Sequence, residues 1–244
     1  MATPAPAKVI KDAAKDVAQD VTPDIVDAQV ILTPLLDALD IVGVAVFALS
    51  GALIAAKERQ TFVTLAFFAL LTGVGGGSVR DLLIGAPVFW MTDPWVAAAC
   101  LLVALAVWFT PTRWWDGKLL DYADGVGLTA YAVLGSAKAL SYGIPPVPAM
   151  VMGVVTGTVG GIIRDVIAGR PSILMRPELY VTAAALSASL CVIGSVLEGP
   201  RLLVWTGAAL AGLALRGAAI HYNLSLPPYH ERRAATDAEA QQPD

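Results

Sequence analysis

Residues 72–81 read TGVGGGSVRD and residues 156–165 read TGTVGGIIRD. Each pairs a run of small residues with an arginine and an aspartate, inside a segment that is otherwise almost wholly apolar. In the first, Gly73, Gly76, Gly77 and Arg80 stand at i, i+3, i+4 and i+7, on one face of a helix. Gly75 completes its glycine triplet. In the second, Gly153, Gly157 and Gly161 recur every fourth residue and lead to Arg164, with Gly160 beside them. Glycine lets a second backbone approach closely, and it also weakens a helix enough to kink or open it.

Working outward, the whole chain of 244 residues is 57% hydrophobic and 15% charged, too apolar for an ordinary soluble domain. A helix needs roughly 20 apolar residues to cross the hydrocarbon layer. Seven candidate spans follow, at 37–56, 62–86, 95–110, 122–141, 147–169, 178–197 and 201–220. Asp93–Pro94 and Arg176–Pro177 read as helix starts with proline at the first helical position. The fold class is therefore all-α, a polytopic membrane protein.

Sliding the sequence by 84 residues lays 35–87 on 119–171 without a gap. Of those 53 positions 18 are identical, and they include charges that shared hydrophobicity alone would not align. Asp37 meets Asp121, Asp40 meets Asp124, Gly51 meets Gly135, Arg80 meets Arg164 and Asp81 meets Asp165. Three spans per repeat is an odd number, so the second copy enters the membrane from the opposite side, an arrangement typical of transport proteins. The expected parts are an extramembrane segment 1–34, a first three-helix repeat 35–110, and a linker 111–118. A second repeat 119–198, a seventh transmembrane helix 199–221 and a polar tail 222–244 complete the chain.

Lys57, Arg59, Arg113, Lys118, Arg170 and Arg176 fall in loops on one side, whereas the loops at 87–94 and 142–146 have no Lys or Arg. The positive-inside rule then places the N-terminus outside and the C-terminus in the cytoplasm. The first 30 residues lack the continuous apolar core of a signal peptide, and residues 8–21 could form an amphipathic helix or stay disordered. Cys100 and Cys191 lie within apolar runs and read as small buried hydrophobes.

The charges in the motifs carry the functional argument. An Arg or Asp near the centre of a membrane helix costs roughly 2.5–3.5 kcal/mol, so Arg80, Asp81, Arg164 and Asp165 are not expected to face lipid. Two readings stay open: an ion-pair lock between the repeats, such as Arg80 with Asp165, or a hydrated path between them. Lys138 adds a cation in the fourth span where the first repeat has Ile54, and its alternative is a snorkelling lysine. Thr72, Thr156, Ser50, Ser136 and Thr129 either line a path or bond to their own helix backbone. His221 and His230 lie beyond the last span, which excludes intramembrane haem ligation and metalloprotease chemistry; no cofactor or metal is implied. There is no P-loop, no TVGYG-like filter, no arginine ladder of a voltage sensor and no basic patch for nucleic acid.

The duplicated GGxxRD-type motif, the three-span repeats and the seventh span resemble the trimeric intracellular cation (TRIC) channel family in its prokaryotic branch, over residues 35–220. The resemblance implies a homotrimer in the bacterial inner membrane, one pore per protomer between the repeats, and helices two and five kinked at the glycines. It implies gating and permeation roles for Arg80 and Arg164, and a pore or lipid-contact role for Lys138. Val159 departs from the motif, standing where the first copy has Gly75. The expected function is a passive channel for potassium and sodium ions rather than an enzyme. Two alternatives remain: a secondary transporter of a small zwitterion such as an amino acid, and a non-conducting scaffold.

Overall fold

Backbone in an apolar environment must close its hydrogen bonds within itself, and helices do so residue by residue. The computed structural model describes residues 40–111, 114, 119–175 and 179–226. The expected N-terminal amphipathic helix at 8–21, the tail beyond 226 and most of the linker 111–118 lie outside the described residues. The chain divides into a unit Met1–Asp40, of which only Asp40 is described, and a unit Ile41–Asp244.

The helices are α1 (Asp40–Lys57), α2 (Phe62–Leu83), α3 (Phe89–Thr92), α4 (Pro94–Phe109), α5 (Leu119–Ser141), α6 (Pro146–Ile167), α7 (Val181–Val196) and α8 (Arg201–Tyr222). A 3₁₀ turn, Ile173–Met175, stands between α6 and α7. By length and composition α1, α2, α6 and α8 can cross a membrane, and α4 and α7 are shorter apolar helices. At 23 residues α5 is long enough, but it carries Asp121, Asp124 and Lys138.

Local chemistry sets the ends. The Thr61 hydroxyl caps α2 by accepting from the Thr64 N–H. Asp93 caps α4 by accepting from the Trp95 N–H at 2.9 Å, with Pro94 at the first helical position, as the Asp93–Pro94 pair predicts. The start expected at Arg176–Pro177 lies outside the described residues, and α7 runs from Val181. α2 and α6 stop at Leu83 and Ile167, a few residues short of the expected 86 and 169. Gly85 (φ 70°) and Gly169 (φ 65°) take left-handed turns there that a helix cannot continue through. α3 is an element that the apolar pattern does not announce.

Within residues 41–226 one apolar cluster joins α1, α2 and α4 through Val44, Phe47, Leu53, Leu65, Ala69 and Cys100, with Tyr131 of α5 against it. Leu128, Ala132, Ala183, Ala184 and Ala188 join α5 to α7, and α8 adds Ala208 beside Cys191 and Val133. Both cysteines are free and buried. The interior is built largely from alanine and glycine, while Val63, Phe67, Leu102, Trp108, Leu203 and Leu210 are exposed. Small residues inside and large apolar ones outside is the arrangement that suits hydrocarbon as solvent, because only packing, not water exclusion, brings such helices together. At one end the α1–α2 loop meets the turn after α6 through Arg170 and Glu58 (Nη2–Oε1 2.5 Å), a half-exposed pair worth about 0–1 kcal/mol.

α2 and α6 cross backbone to backbone. A side-chain carbon on Gly76 would collide with the Thr156 carbonyl oxygen, and one on Gly160 would come within 2.6 Å of the Thr72 carbonyl oxygen. Neither obstacle can rotate away. Gly85 has nothing within 4 Å of that position, so only its φ of 70° resists a side chain. Gly76→Ala is therefore expected to destabilise the detergent-solubilised protein by about 3 kcal/mol or more. Gly85→Ala should cost about 1 kcal/mol. Paired thermal melts check the order, and equal losses would mean that the crossing is not a tight contact.

Candidate functional site

The site is assembled around the α2–α6 crossing. A side-chain carbon on Gly75 would stand 3.1 Å from Ile163 Cδ1 and 3.6 Å from Gly160 Cα, and Gly73 faces Val44 and Cys100. A side-chain carbon on Gly157 would come within 2.6 Å of the Leu128 carbonyl oxygen and one on Gly161 within 3.3 Å of the Tyr180 hydroxyl, while Gly77 faces the Phe89 ring. Both helices run unbroken through these residues. This corrects the expectation that the glycines open the helices. With backbone packed against backbone, freed carbonyls would have no water to bond, so the helical hydrogen bonds persist and the glycines serve close approach.

The hydroxyls divide in two. Thr72 donates to the Phe68 carbonyl (2.7 Å) and Thr156 to the Met152 carbonyl (2.6 Å), each one turn back in its own helix. Ser136 and Thr129 do the same with Ala132 and Gly125. Ser50 does not: its hydroxyl donates to Asp124 Oδ1 at 3.1 Å and accepts from Arg164 Nη1. It is the one of the five that enters the charged site.

At one end of the crossing Arg80 Nε donates to Asp81 Oδ1 at 2.8 Å, and Lys138 Nζ reaches the same oxygen at 2.8 Å. Asp81 Oδ2 accepts from the Phe89 N–H at 3.0 Å, and the Arg80 guanidinium lies 5.8 Å from the Phe89 ring centroid. Arg80 and Asp81 are buried, and the Lys138 side chain is 26% exposed. Lys138 thus spans from α5 to α2 as an ion-pair partner, rather than simply snorkelling away from the core. Two cations share one carboxylate here.

At the other end Arg164 holds Asp165 Oδ1 through Nε and Nη2, both at 2.9 Å, and Asp124 Oδ1 through Nη1 at 3.0 Å. Tyr180 packs beside it, and the Arg216 guanidinium of α8 lies 5.2 Å above the Tyr180 ring centroid. Arg164, Asp165, Asp124, Tyr180 and Arg216 are all buried. Here one guanidinium, Arg164, holds two carboxylates, and a second, Arg216, lies over the Tyr180 ring.

Each motif arginine pairs with the aspartate that follows it, which replaces the Arg80–Asp165 pair considered from sequence. A backbone Arg–Asp neighbour pair can close on itself without any other helix moving. Asp124, Tyr180 and Arg216 belong to the site although the motifs do not point to them. Asp124 had a signal, an acidic residue inside a span and aligned with Asp40. Arg216 had a fainter one, an arginine in the middle of the last apolar run, LALRGAA.

The family model described as "Glycine transporter" matches the chain twice, at residues 37–112 and 121–195. The two matches begin 84 residues apart (121 minus 37), the offset of the repeat. A UPF0126 membrane protein of Vibrio cholerae is 36% identical over 218 residues, covering 84% of this chain and 87% of its own. The UPF0126 inner membrane protein YadS of Escherichia coli K12 is 36% identical over 206 residues, 78% of this chain and 94% of its own. Among solved structures, the TRIC trimeric intracellular cation channel orthologue from Rhodobacter sphaeroides superposes with a TM-score of 0.72 at 36% identity, over 78% of this chain and 99% of that one. With its duplicated family match, its UPF0126 relatives and this fold, the chain belongs to the prokaryotic branch of the trimeric intracellular cation channel family.

Proposed function

We propose that the chain is a passive channel for monovalent cations, potassium with sodium tolerated, whose path in each protomer runs between α2 and α6. The observation that carries the reading is the pair of buried Arg–Asp clusters at opposite ends of one glycine-lined helix crossing. Buried charges that are merely structural are readily replaced by apolar packing, so two such clusters flanking a backbone-to-backbone crossing suit a path that opens there. The likeness to the Rhodobacter sphaeroides channel supports the same reading.

In this reading α1, α2 and α4 form one three-span repeat and α5, α6 and α7 the second, inverted in the membrane, with α8 added as a seventh span. Matching contacts support it. Gly51 meets Thr72 as Gly135 meets Thr156, Gly76 and Gly160 exchange carbonyl contacts, and Gly85 and Gly169 make the same turn. The N-terminus is outside, the C-terminus is in the cytoplasm, and the assembly is a homotrimer in the inner membrane.

The arginines act as gating groups. Each is neutralised by its own aspartate, so the barrier to a monovalent cation stays low. The extra cation, Lys138, sits where the first repeat has Ile54, and it makes the two approaches unequal. A unit charge about 8 Å from the path, at an effective dielectric constant of about 40, opposes a monovalent ion by about 1 kcal/mol and a divalent ion by twice that. Lys138 therefore disfavours divalent ions.

The description of the matching family model favours a second reading, uptake of a small zwitterion such as glycine with an arginine on its carboxylate. Planar-bilayer recordings of the purified protein in asymmetric potassium and sodium decide between the two. Discrete unitary currents reversing near the potassium equilibrium potential are expected; saturable uptake of labelled glycine without such currents would favour the transporter. Arg80→Ala and Arg164→Ala should each change open probability on the order of tenfold, because each leaves a buried aspartate without its main partner. In Lys138→Ile, calcium permeability relative to potassium should rise about fivefold, the factor for the 1 kcal/mol difference between divalent and monovalent repulsion. An unchanged ratio would remove Lys138 from the path.

A further inference from the structure

The loop after α2 folds back on the helix it leaves. The Ala86 N–H donates to the Asp81 carbonyl at 2.8 Å, and the Phe89 N–H donates to Asp81 Oδ2 at 3.0 Å. The Trp90 indole N–H donates to Ser78 Oγ at 2.9 Å, while Ser78 Oγ donates to the Val74 carbonyl at 2.8 Å. These bonds pin the short helix α3 across the end of α2, and they bring the Phe89 ring into the notch at Gly77. A side-chain carbon on Gly77 would stand 2.5 Å from Phe89 Cε1 and 3.2 Å from its Cδ1 and Cζ. The same ring lies against the Arg80 guanidinium.

The opposite end keeps the same turn, with the Arg170 N–H donating to the Asp165 carbonyl at 3.0 Å and the 3₁₀ turn Ile173–Met175 following it. Gly161 occupies the position in α6 that Gly77 occupies in α2, and among the described residues a side-chain carbon there would stand 3.3 Å from the Tyr180 hydroxyl and 3.8 Å from Arg164 Nη2. Among the described side chains, an apolar ring meets the glycine at one approach to the α2–α6 crossing, and a hydroxyl and a guanidinium meet its counterpart at the other. The cover on the first is also light. α3 has only four residues, it is bounded by extended backbone at Val88 and Asp93, and none of its residues is fully buried. An element of that size, held to α2 by a few hydrogen bonds and one ring, can lift without any long helix unwinding.

We infer that Phe89, seated in the Gly77 notch, is the plug that closes the α3 end of the path, and that lifting α3 uncovers Arg80. This rests on the proposed path between α2 and α6. The pinning bonds explain why closure is local: Asp81 organises both the arginine and the strap, so the motif that carries the charge also holds its cover. The apolar ring excludes water from the Arg80–Asp81 pair in the closed state, where an ion pair is strongest.

Two variants displace the ring by opposite means. Phe89→Ala deletes it, and Gly77→Ala fills the notch against the far end of a side chain that can swing out. Each is measured twice, as potassium efflux from proteoliposomes and as the rate at which phenylglyoxal modifies Arg80, read by peptide mass mapping. Both variants should raise both rates on the order of tenfold, the factor for losing one aromatic contact of ordinary strength from the closed state. Native rates in both variants of a protein that conducts would overturn the plug. Faster modification of Arg80 with no efflux from any variant would keep Phe89 as the cover and overturn the channel. Unchanged modification with no efflux would overturn both.

Discussion

The contact on which the molecule depends is the passage of α2 over α6 at Gly76 and Gly160, where each glycine lies against a carbonyl of the other helix. Backbone meeting backbone leaves no side chain that could yield, so the distance between these helices is fixed by the absence of two β-carbons. That distance sets the rest. It brings α1 and α5 in from the sides, so that Ser50 reaches Asp124 and Arg164, and Lys138 reaches Asp81. In lipid, where large apolar side chains gain nothing by turning inward, close approach of small residues is the main source of packing energy, and the alanine-rich interior follows from the same rule.

The second constraint is electrostatic. Charges within apolar surroundings must find partners inside the chain, and each motif supplies its own by placing aspartate directly after arginine. The local pair settles most of the desolvation cost before any tertiary contact forms. What distinguishes the two ends is what the neighbouring helices add. Lys138 from α5 gives one cluster a second cation; Asp124 from α5 gives the other a second carboxylate, with Arg216 of α8 over Tyr180 beside it. Two nearly identical motifs thus end in different environments, and the aromatic strap α3 covers the first of them.

Much of this was legible in the chain itself. Helix positions follow from apolar runs, and the start at Asp93–Pro94 follows from capping chemistry. The glycine ladders announced a close contact, and the motif charges announced burial. The glycines were ambiguous, since the residue that permits close packing also permits a break, and only the backbone-on-backbone contact of Gly76 and Gly160 resolves that in favour of an intact helix. α3 left no trace in the hydropathy pattern because four residues carry no periodicity. Tyr180 and Arg216 were hidden for another reason: each stands alone in its segment, and its role comes from the helix packed opposite.

By itself the sequence determined that the chain is helical and apolar, that it contains one motif twice, and that each motif carries its own counter-charge. These are properties of composition, period and adjacency, which act along the chain. Tertiary structure alone decided which partners complete the pairs: Lys138 on Asp81, Asp124 and Ser50 on Arg164, Arg216 on Tyr180, and Phe89 in the notch at Gly77. Those contacts join residues far apart in sequence and depend on how closely two backbones approach, a distance that no single helix specifies.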